Sequence, residues 1–389
     1  MDVDDRSRDL IRSPLMRAID KIEKTLLAHA DEAETLGTLP EASWRALQDA
    51  GLFLFKAPRE VGGLEADPLT QIEIIERVAS IDTSAGWAMM IGATSLAMLA
   101  AWIPDAGLKD LHVDGRLPRV AGGITPTATA TRTSGGYKVT GRWQFGSGSG
   151  HAEWLLGPGF IDGDEPRRPK TFAFPRADVR IHEDTWNVRA LRGTGSYDIS
   201  VADVFVPEHR SYDGWKPPAR GGTLYKIRIP GLVALEHGAF ALGAASRALR
   251  EVAELAKSKT RGYINPVGVA GRGSFQNELG RCDLALRAAR GGLVQANAAA
   301  WRIVSEGGEC DVGLQTELRC AAVYATDVAI DVARRMFRHA GAKSLYAGNV
   351  VERCLRDVTA AGQHAMVSDA AYEKRGQLLL GFPNVTPMD

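Results

Sequence analysis

The sequence lacks a charge excess of either sign, and it lacks any segment that resembles a secretion signal. Its 389 residues include 47 basic and 47 acidic side chains, so the formal net charge at neutral pH is zero. Without a basic surplus the chain has little with which to hold a nucleic-acid backbone. The stretch from Met1 to Arg6 is acidic and polar, unlike a signal peptide. We therefore expect a cytoplasmic protein that binds neither nucleic acid nor a membrane.

The sequence is also poor in cysteine, and the few cysteines show no metal-ligand spacing. They are Cys282, Cys310, Cys320 and Cys354, all within sequence of helical character. The histidines likewise show no spacing typical of a metal site. These observations predict reduced thiols and no metal. No segment resembles a nicotinamide-binding βαβ unit either.

One apolar segment is long enough to raise the question of a membrane span. It begins near Gly86 and continues to about Pro104. The segment is rich in Ala, Gly, Ser and Thr, and it stands alone. These properties favour a helix that is buried in the core of a soluble protein.

Three residue patterns follow one another along the chain. Residues 1–115 have helical periodicity, residues 116–228 contain short alternating runs with turn residues, and residues 229–389 are helical again. Gly135-Gly136, between two alternating runs, is typical of a hairpin. We expect a mainly α protein with a β insert: an N-terminal helical domain, a central β-barrel or sandwich, and a C-terminal four-helix bundle. The four bundle segments are Leu232–Ser258, Phe275–Val304, Thr316–His339 and Val350–Leu380.

The stretch from Gly141 to His151 combines large aromatic side chains with a run of small residues. A strand-like run ends in Trp143 and Phe145, and the serines Ser147 and Ser149 follow among glycines. Small residues allow a ligand to approach backbone N–H groups, and aromatic rings offer a flat wall. A planar heteroaromatic ligand suits this pattern better than a phosphate, because no Gly-Lys-Ser/Thr follows. The alternative is a sheet edge with a glycine-rich turn.

Several motifs in chain order resemble the acyl-CoA dehydrogenase fold, over nearly the whole chain. They are Pro58–Gly63, Asp82–Trp87, Trp143–Gly148, Arg192–Pro207 and Arg353–His364. The closer resemblance is to the flavin-dependent monooxygenases of this fold. Examples are the oxygenase components of two-component 4-hydroxyphenylacetate hydroxylases, steroid-degradation hydroxylases, dibenzothiophene monooxygenases and amino-sugar nitrososynthases.

The sequence departs from the dehydrogenases at the position of their catalytic base. In those enzymes an Arg-Asp pair is followed by Ile-Tyr-Glu-Gly, whose glutamate abstracts a substrate proton. Here Arg356-Asp357 is followed, at the matching distance, by Ala365 beside His364. The pair Tyr372-Glu373 comes too late. The resemblance therefore implies an oxygenase rather than a dehydrogenase.

The resemblance implies a cofactor, a reaction and partners. A separate NAD(P)H-dependent flavin reductase would supply reduced FMN or FAD, which reacts with O₂ to form a flavin hydroperoxide. The hydroperoxide would oxygenate a small aromatic or natural-product substrate. Ser147 would hold the hydroperoxide, and His364 would act as a base on the substrate or as a hydrogen-bond donor. Proteins of this kind are usually homotetramers.

Matching the family's motifs residue by residue implies further site residues. The cofactor residues are Trp143, Phe145, Ser147, Gly148, Thr194, Ser196, Arg261, Gln276 and Ser344, and the substrate residues are Trp87, Met90, Thr94 and His364. Arginine suits the phosphate tail. Each residue also has an ordinary structural interpretation, as core for the apolar helix and as turn caps for the hydroxyls.

Two other functions stay open at this point. One is an acyl-CoA dehydrogenase-like flavin dehydrogenase whose base comes from another helix. The other is a catalytically silent flavin- or ligand-binding protein. The motifs do not distinguish FMN from FAD, and they do not name the substrate.

Overall fold

The computed structural model describes residues 3–112, 115–262, 264 and 266–388, and its N-terminal part is helical. Met1 and Asp2, which belong to the acidic N-terminal stretch, lie outside the described residues. The helices are α1 (Val3–Leu36), α2 (Glu41–Asp49), α3 (Pro68–Ala79), α4 (Thr83–Trp102) and α5 (Asp105–Leu111). The start of α4 is capped by Asp82, whose Oδ1 accepts a hydrogen bond of 2.6 Å from the Ala85 N–H.

The central part of the chain forms one mixed sheet of eight strands. They are β1 (Val120–Gly122), β2 (Ala128–Thr133), β3 (Gly136–Gly146), β4 (Trp154–Ile161), β5 (Lys170–Pro175), β6 (Arg180–His182), β7 (Tyr197–Pro207) and β8 (Ser211–Tyr212). The strand order is β6-β7-β3-β2-β4-β5-β8, and β1 pairs with β4. The hairpin expected at Gly135 is confirmed, since β2 and β3 are antiparallel and Gly135 has a φ of 76°. The predicted β insert is thus present.

The C-terminal part is helical, with a small ribbon near its start. The elements are α6 (Gly231–Ser258), β9 (Thr260–Arg261), β10 (Val267–Gly268), α7 (Gly273–Ser305), α8 (Val312–Ala340), α9 (Val350–Ala361) and α10 (Ala370–Leu379). The fourth predicted segment, Val350–Leu380, was expected to be one helix and is two. The chain leaves helical structure after Gly362, and His364 then caps a short 3₁₀ helix, Ala365–Val367. The candidate catalytic histidine therefore lies in a helix break.

The protein packs as two compact units, each built from several stretches of chain. The first unit comprises Met1–Ala66, Trp87–Val188 and Arg192–Tyr225, and it contains the eight-stranded sheet. The second comprises Asp67–Gly86, Arg189–Leu191 and Lys226–Asp389, and it contains α6 to α10. The division into three consecutive domains stays a prediction.

The apolar segment that raised the membrane question forms α4. Among the described residues, α4 is the one helix long and apolar enough to cross a membrane, and 78% of its most apolar window is buried inside the protein. Burial on this scale is typical of a core helix and not of a helix that faces lipid. The protein thus has the character of a soluble globular protein with one buried apolar helix.

Candidate active site

The end of β3 is irregular, and the irregularity exposes an aromatic ring. The pairing of β3 with β7 shifts register between Trp143 and Gly146. Phe145 lies in this bulge with a φ of 61°, and 68% of the residue is exposed. A left-handed backbone at a bulky residue and an exposed ring both cost free energy, and such costs collect at functional sites. Phe145 is therefore a strong candidate for ligand contact.

A pocket of about 350 Å³ lies beside this ring. It is lined by Thr125, Thr127, Arg142, Trp143, Gln144, Phe145 and Asp198. Its size falls in the range of small-ligand sites. Arg142 and Asp198 form an ion pair of 2.9 Å at its wall. The sequence predicted only the two aromatic residues of this set, because the threonines become neighbours of β3 through strand pairing.

Trp143 is a core side chain, whereas Phe145 is exposed. The Trp143 indole N–H donates to the Pro158 carbonyl at 2.8 Å, and the residue belongs to the hydrophobic core of the sheet. A Cβ at Gly157 would lie 2.2 Å from Cζ2 of this ring, so glycine is required there. The alternative interpretation of Trp143 as core is what its contacts support. A role along the flavin stays a prediction.

Ser147 belongs to a buried group of hydroxyls in the first unit, formed by Ser147, Thr194 and Ser196 and called the hydroxyl cluster below. The Oγ atoms of Ser147 and Ser196 are 2.8 Å apart, and Ser196 Oγ is 2.6 Å from Thr194 Oγ1. Each of the three residues is at most 5% exposed. The Trp87 indole N–H donates to Ser147 Oγ at 3.1 Å. The motifs thus meet in space, although Trp87 was expected to line a substrate cavity.

The expectation that a ligand lies on bare backbone N–H groups is wrong for two of the small residues. The Ser147 N–H donates to the Phe145 carbonyl at 2.9 Å, and the Gly148 N–H donates to the Thr194 carbonyl at 2.9 Å. Gly148 serves packing instead, since a Cβ there would lie 2.9 Å from Cη2 of Trp44. This end of β3 therefore offers hydroxyls and a ring rather than these two amides.

The other two residues predicted to line a substrate cavity lie inside the first unit. Met90 is completely buried. The Thr94 hydroxyl accepts a hydrogen bond of 3.1 Å from the buried Lys56 ammonium group. Their contacts fit the core interpretation, and their contribution to a substrate site stays a prediction.

His364 lies in the second unit, where it is held by its backbone and by a second imidazole. Its Nδ1 accepts from the Met366 N–H at 3.3 Å, so the proton of the neutral ring lies on Nε2. The His237 ring, buried on α6, lies 4.1 Å from the His364 ring between centroids. Burial lowers the pKa of His364 from 6.5 to about 4, so the ring is neutral at pH 7. No local pattern indicated a role for His237, which follows a buried Glu236 on α6.

Asp357 explains why several motifs occur together. Its fully buried carboxylate accepts from the Thr83 hydroxyl at 2.5 Å and from the Leu191 N–H at 2.6 Å. Leu191 has a φ of 52°, a strained value that this bond helps to hold. Asp357 therefore ties the start of α4 and the loop before Arg192 to α9, within the second unit. This role is one of positioning, since Asp357 is enclosed by protein.

The side chains of the remaining predicted cofactor residues donate hydrogen bonds to backbone carbonyls. Arg261 Nη2 donates to the Arg338 and His339 carbonyls, at 3.3 and 3.4 Å, at the end of α8. Gln276 Nε2 donates to the Ala270 carbonyl at 2.9 Å. Ser344 Oγ donates to the Gly341 carbonyl at 2.6 Å. Their assignment to a flavin stays a prediction.

Comparison with known proteins covers most of the chain. Residues 16–107 match the acyl-CoA dehydrogenase N-terminal domain, and residues 235–369 match the acyl-CoA dehydrogenase C-terminal domain. The chain is 30% identical to indole-3-acetate monooxygenase of Pseudomonas putida over 338 residues. This alignment covers 86% of each protein. It is 30% identical to the flavin-dependent monooxygenase oxygenase subunit HsaA of Rhodococcus jostii, over 95% of this chain and 98% of that one. The crystal structure of 3-HSA hydroxylase from Rhodococcus sp. RHA1 superposes with a TM-score of 0.88 at 28% identity, covering 96% and 98% of the two chains.

Proposed function

Because this chain belongs to the acyl-CoA dehydrogenase family and is a flavin-dependent monooxygenase, we propose that the pocket beside Phe145 and the hydroxyl cluster form its flavin site. The chain is the oxygenase component, and a separate reductase component supplies the reduced flavin, as the naming of its relatives implies. Its substrate is a small molecule. The flavin, when bound, activates O₂, and the protein contributes positioning, hydrogen bonds and exclusion of water.

The observation that carries this proposal is the strained, exposed Phe145 at the pocket wall. The ring is exposed although it is large and apolar, and its backbone would be more relaxed as glycine. A planar flavin ring would cover this surface, and the threonine hydroxyls of the pocket would supply hydrogen bonds. Ser147, two residues further along, would then meet the flavin with its hydroxyl. The residues present fit the cofactor that the family uses.

His364 is proposed as a hydrogen-bond donor. Its Nδ1 is engaged as an acceptor, and its proton lies on Nε2. With a pKa of about 4 the ring is a weak base and is not charged at neutral pH. Donation from Nε2 to the substrate or to the oxygen being transferred is the role that this state supports.

Several finer points are proposals of the same kind. An aromatic substrate is supported by the indole-3-acetate named for one relative. A homotetramer is supported by Leu345 and Tyr346, which are 73% and 74% exposed in the loop after Ser344. A cytoplasmic location is supported by the reduced cysteines of the chain. Arg261 is the proposed phosphate ligand.

One observation keeps the dehydrogenase alternative testable. That reaction needs a carboxylate base, and Ala365 stands where the family's glutamate would be. Glu236, fully buried on α6 next to His237, is a carboxylate on another helix. Purification with tightly bound oxidised FAD would favour a dehydrogenase, and a silent binding protein would bind flavin in neither redox state.

Rapid mixing tests the proposed function without a known substrate. The protein is incubated without oxygen with reduced FMN or, separately, reduced FAD, and is then mixed with aerated buffer. We expect a long-lived species whose absorbance differs from both reduced and oxidised flavin, with one of the two flavins favoured. Reoxidation of both at the rate of free flavin would contradict the proposal.

A further inference from the structure

We propose that Trp87 is a positioning residue for Ser147, and that its indole N–H fixes the direction in which the serine hydroxyl meets the flavin. The inference rests on the proposed function, because that function places Ser147 against the cofactor. Trp87 lies on α4, and the hydrogen bond to Ser147 Oγ spans 60 residues of sequence at 3.1 Å. Both partners are buried, so water does not compete for this bond.

The argument is one of donors and acceptors. A serine hydroxyl has one hydrogen to donate and two lone pairs to accept with, whereas an indole N–H can only donate. Trp87 therefore always occupies one lone pair of Ser147 Oγ. Ser196 is the second partner at 2.8 Å, and either hydroxyl can be the donor in that bond. One hydrogen-bonding position of Ser147 is left for a ligand. It is the second lone pair if Ser147 donates to Ser196, and it is the hydrogen if Ser196 donates to Ser147.

The rest of the cluster can adapt to either case. Ser196 and Thr194 are also two hydroxyls in contact, at 2.6 Å, and again either can donate. Two hydroxyl–hydroxyl contacts thus follow from the fixed end at Trp87, and in each of them either oxygen can be the donor. A flavin ring nitrogen carries a hydrogen when the flavin is reduced and a lone pair when it is oxidised. Ser147 can offer a lone pair to one form and its hydrogen to the other by exchanging donor and acceptor roles with Ser196, while Trp87 holds the oxygen atom in place.

The other described indole bonds show that this contact is not what core packing alone produces. Trp102, also on α4, donates to the Lys216 carbonyl at 2.8 Å, and Trp143 donates to the Pro158 carbonyl at 2.8 Å. Trp186 donates to the Arg192 carbonyl at 2.9 Å, so all three of these N–H groups are satisfied by backbone. Trp87 instead donates to a side-chain hydroxyl that has a second hydroxyl partner. Trp102→Phe is therefore a matched control on the same helix.

The first test is made on the protein without cofactor. Indole ¹⁵N labelling gives signals for the eight tryptophans, and Trp87→Phe and Trp102→Phe identify two of them. We expect Ser147→Ala to move the Trp87 indole signal and to leave the Trp102 signal in place. An unmoved Trp87 signal would overturn the inference, whatever the enzyme does with flavin.

The second test measures binding and reoxidation of reduced FMN and reduced FAD by wild type, Trp87→Phe and Trp102→Phe. We expect Trp87→Phe to bind reduced flavin about tenfold more weakly, the loss typical of one buried hydrogen bond, and to reoxidise it faster. Trp102→Phe should bind and reoxidise reduced flavin as wild type does, although its loss of thermal stability should be comparable to that of Trp87→Phe. Equal effects of the two variants on flavin binding would overturn the inference. If wild type itself fails to hold reduced flavin, the proposed function fails, and the indole signals still report on the Trp87 contact.

Discussion

The two units hold their polar site groups in opposite ways. In the first unit the hydroxyl groups of the cluster are linked to one another by neutral hydrogen bonds, and the Trp87 indole N–H donates to Ser147. In the second unit His364 is a titratable group that burial keeps neutral, with a pKa of about 4. The first arrangement is directional and does not change with pH near neutrality. The neutral state of His364 depends on desolvation, so the contribution of this residue to stability changes when the ring takes up a proton at low pH.

The difference indicates a division of labour. Hydroxyl groups with several partners can orient a cofactor but are poor at moving a proton. A histidine in a poorly solvated place can present or withhold a proton, at a cost in stability at low pH. The predictions below test whether the two units differ in this way.

The largest effect is expected for His364→Ala. Removing the Nε2 donor should lower product formation with an accepted aromatic substrate by on the order of 100-fold or more, as is typical for loss of an acid–base group. Reduced-flavin binding, measured without oxygen, should stay within about twofold of wild type, since a flavin contact is assigned to other residues. His209→Ala, which removes a surface imidazole paired with Asp110, is the control. Normal product formation by His364→Ala would show that His364 is not the reactive group of the second unit.

A smaller effect is expected from pH. The pKa of His364 is lower in the folded protein than in the unfolded chain, so the unfolded chain binds the proton first as pH falls below about 6.5. Stability due to the neutral ring is thus present above pH 6.5 and lost as pH falls toward 4. By pH 5 wild type should lose about 2 kcal/mol relative to His364→Asn, whose side chain keeps the cap on Met366. Denaturant unfolding of both proteins between pH 4 and 8 measures this. If the free energy of unfolding had the same pH dependence in both proteins, burial of a neutral His364 would not be the cause of the loss of stability at low pH.

The next effect concerns Phe145. Phe145→Gly should relieve the positive φ and raise the free energy of unfolding by about 1 kcal/mol, because glycine adopts this backbone without strain. The same change should weaken reduced-flavin binding about tenfold, since the exposed ring is lost. Phe205, which is also exposed on the sheet, provides the control Phe205→Ala for the loss of an aromatic surface elsewhere. A variant that is less stable and binds flavin normally would identify Phe145 as structural.

The smallest effect is expected for Ser196→Ala. Ser147 would keep its bond from Trp87 and lose one neutral partner, so reduced-flavin binding should weaken about threefold. The factor should be the same at pH 6, 7 and 8, because no hydroxyl of the cluster titrates there. Ser149→Ala is the matched serine, since its hydroxyl makes only a long contact of 3.5 Å to the Gly195 carbonyl. A ratio that varies with pH would link the cluster to a titrating group.

Much of the fold follows from local sequence. The alternating run that ends at Phe145 predicted β3, and the turn glycine Gly135 predicted its hairpin with β2. The long apolar run predicted α4 as a core helix. Periodicity failed at the last helix, where residues 350–380 looked continuous. Gly362 ends α9 and His364 caps the short 3₁₀ helix that follows, and neither residue interrupts the 3.6-residue pattern of apolar side chains.

The site was only partly predictable. Ser147, Thr194, Ser196 and His364 came from motifs, and the structure joins the three hydroxyl residues into one cluster. Trp87 was expected to line a substrate cavity, and the structure shows that its N–H donates to Ser147 Oγ. His237 and the threonines of the pocket gave no signal. Their relevance depends on strand pairing and helix packing between positions far apart in the chain.

The sequence by itself determined the family, the order of helical and β elements, and which residue types were available for flavin chemistry. Local patterns carry this information because hydrophobic period, turns and caps depend on neighbouring residues. Only the tertiary structure decided which partner each polar group has and how strongly it is desolvated. Hydrogen bonding and burial depend on atoms brought together from distant segments, as Trp87 reaches Ser147 and His237 reaches His364. Those two contacts set the direction of one hydroxyl and accompany the lowered pKa of one imidazole, and no local pattern contains either.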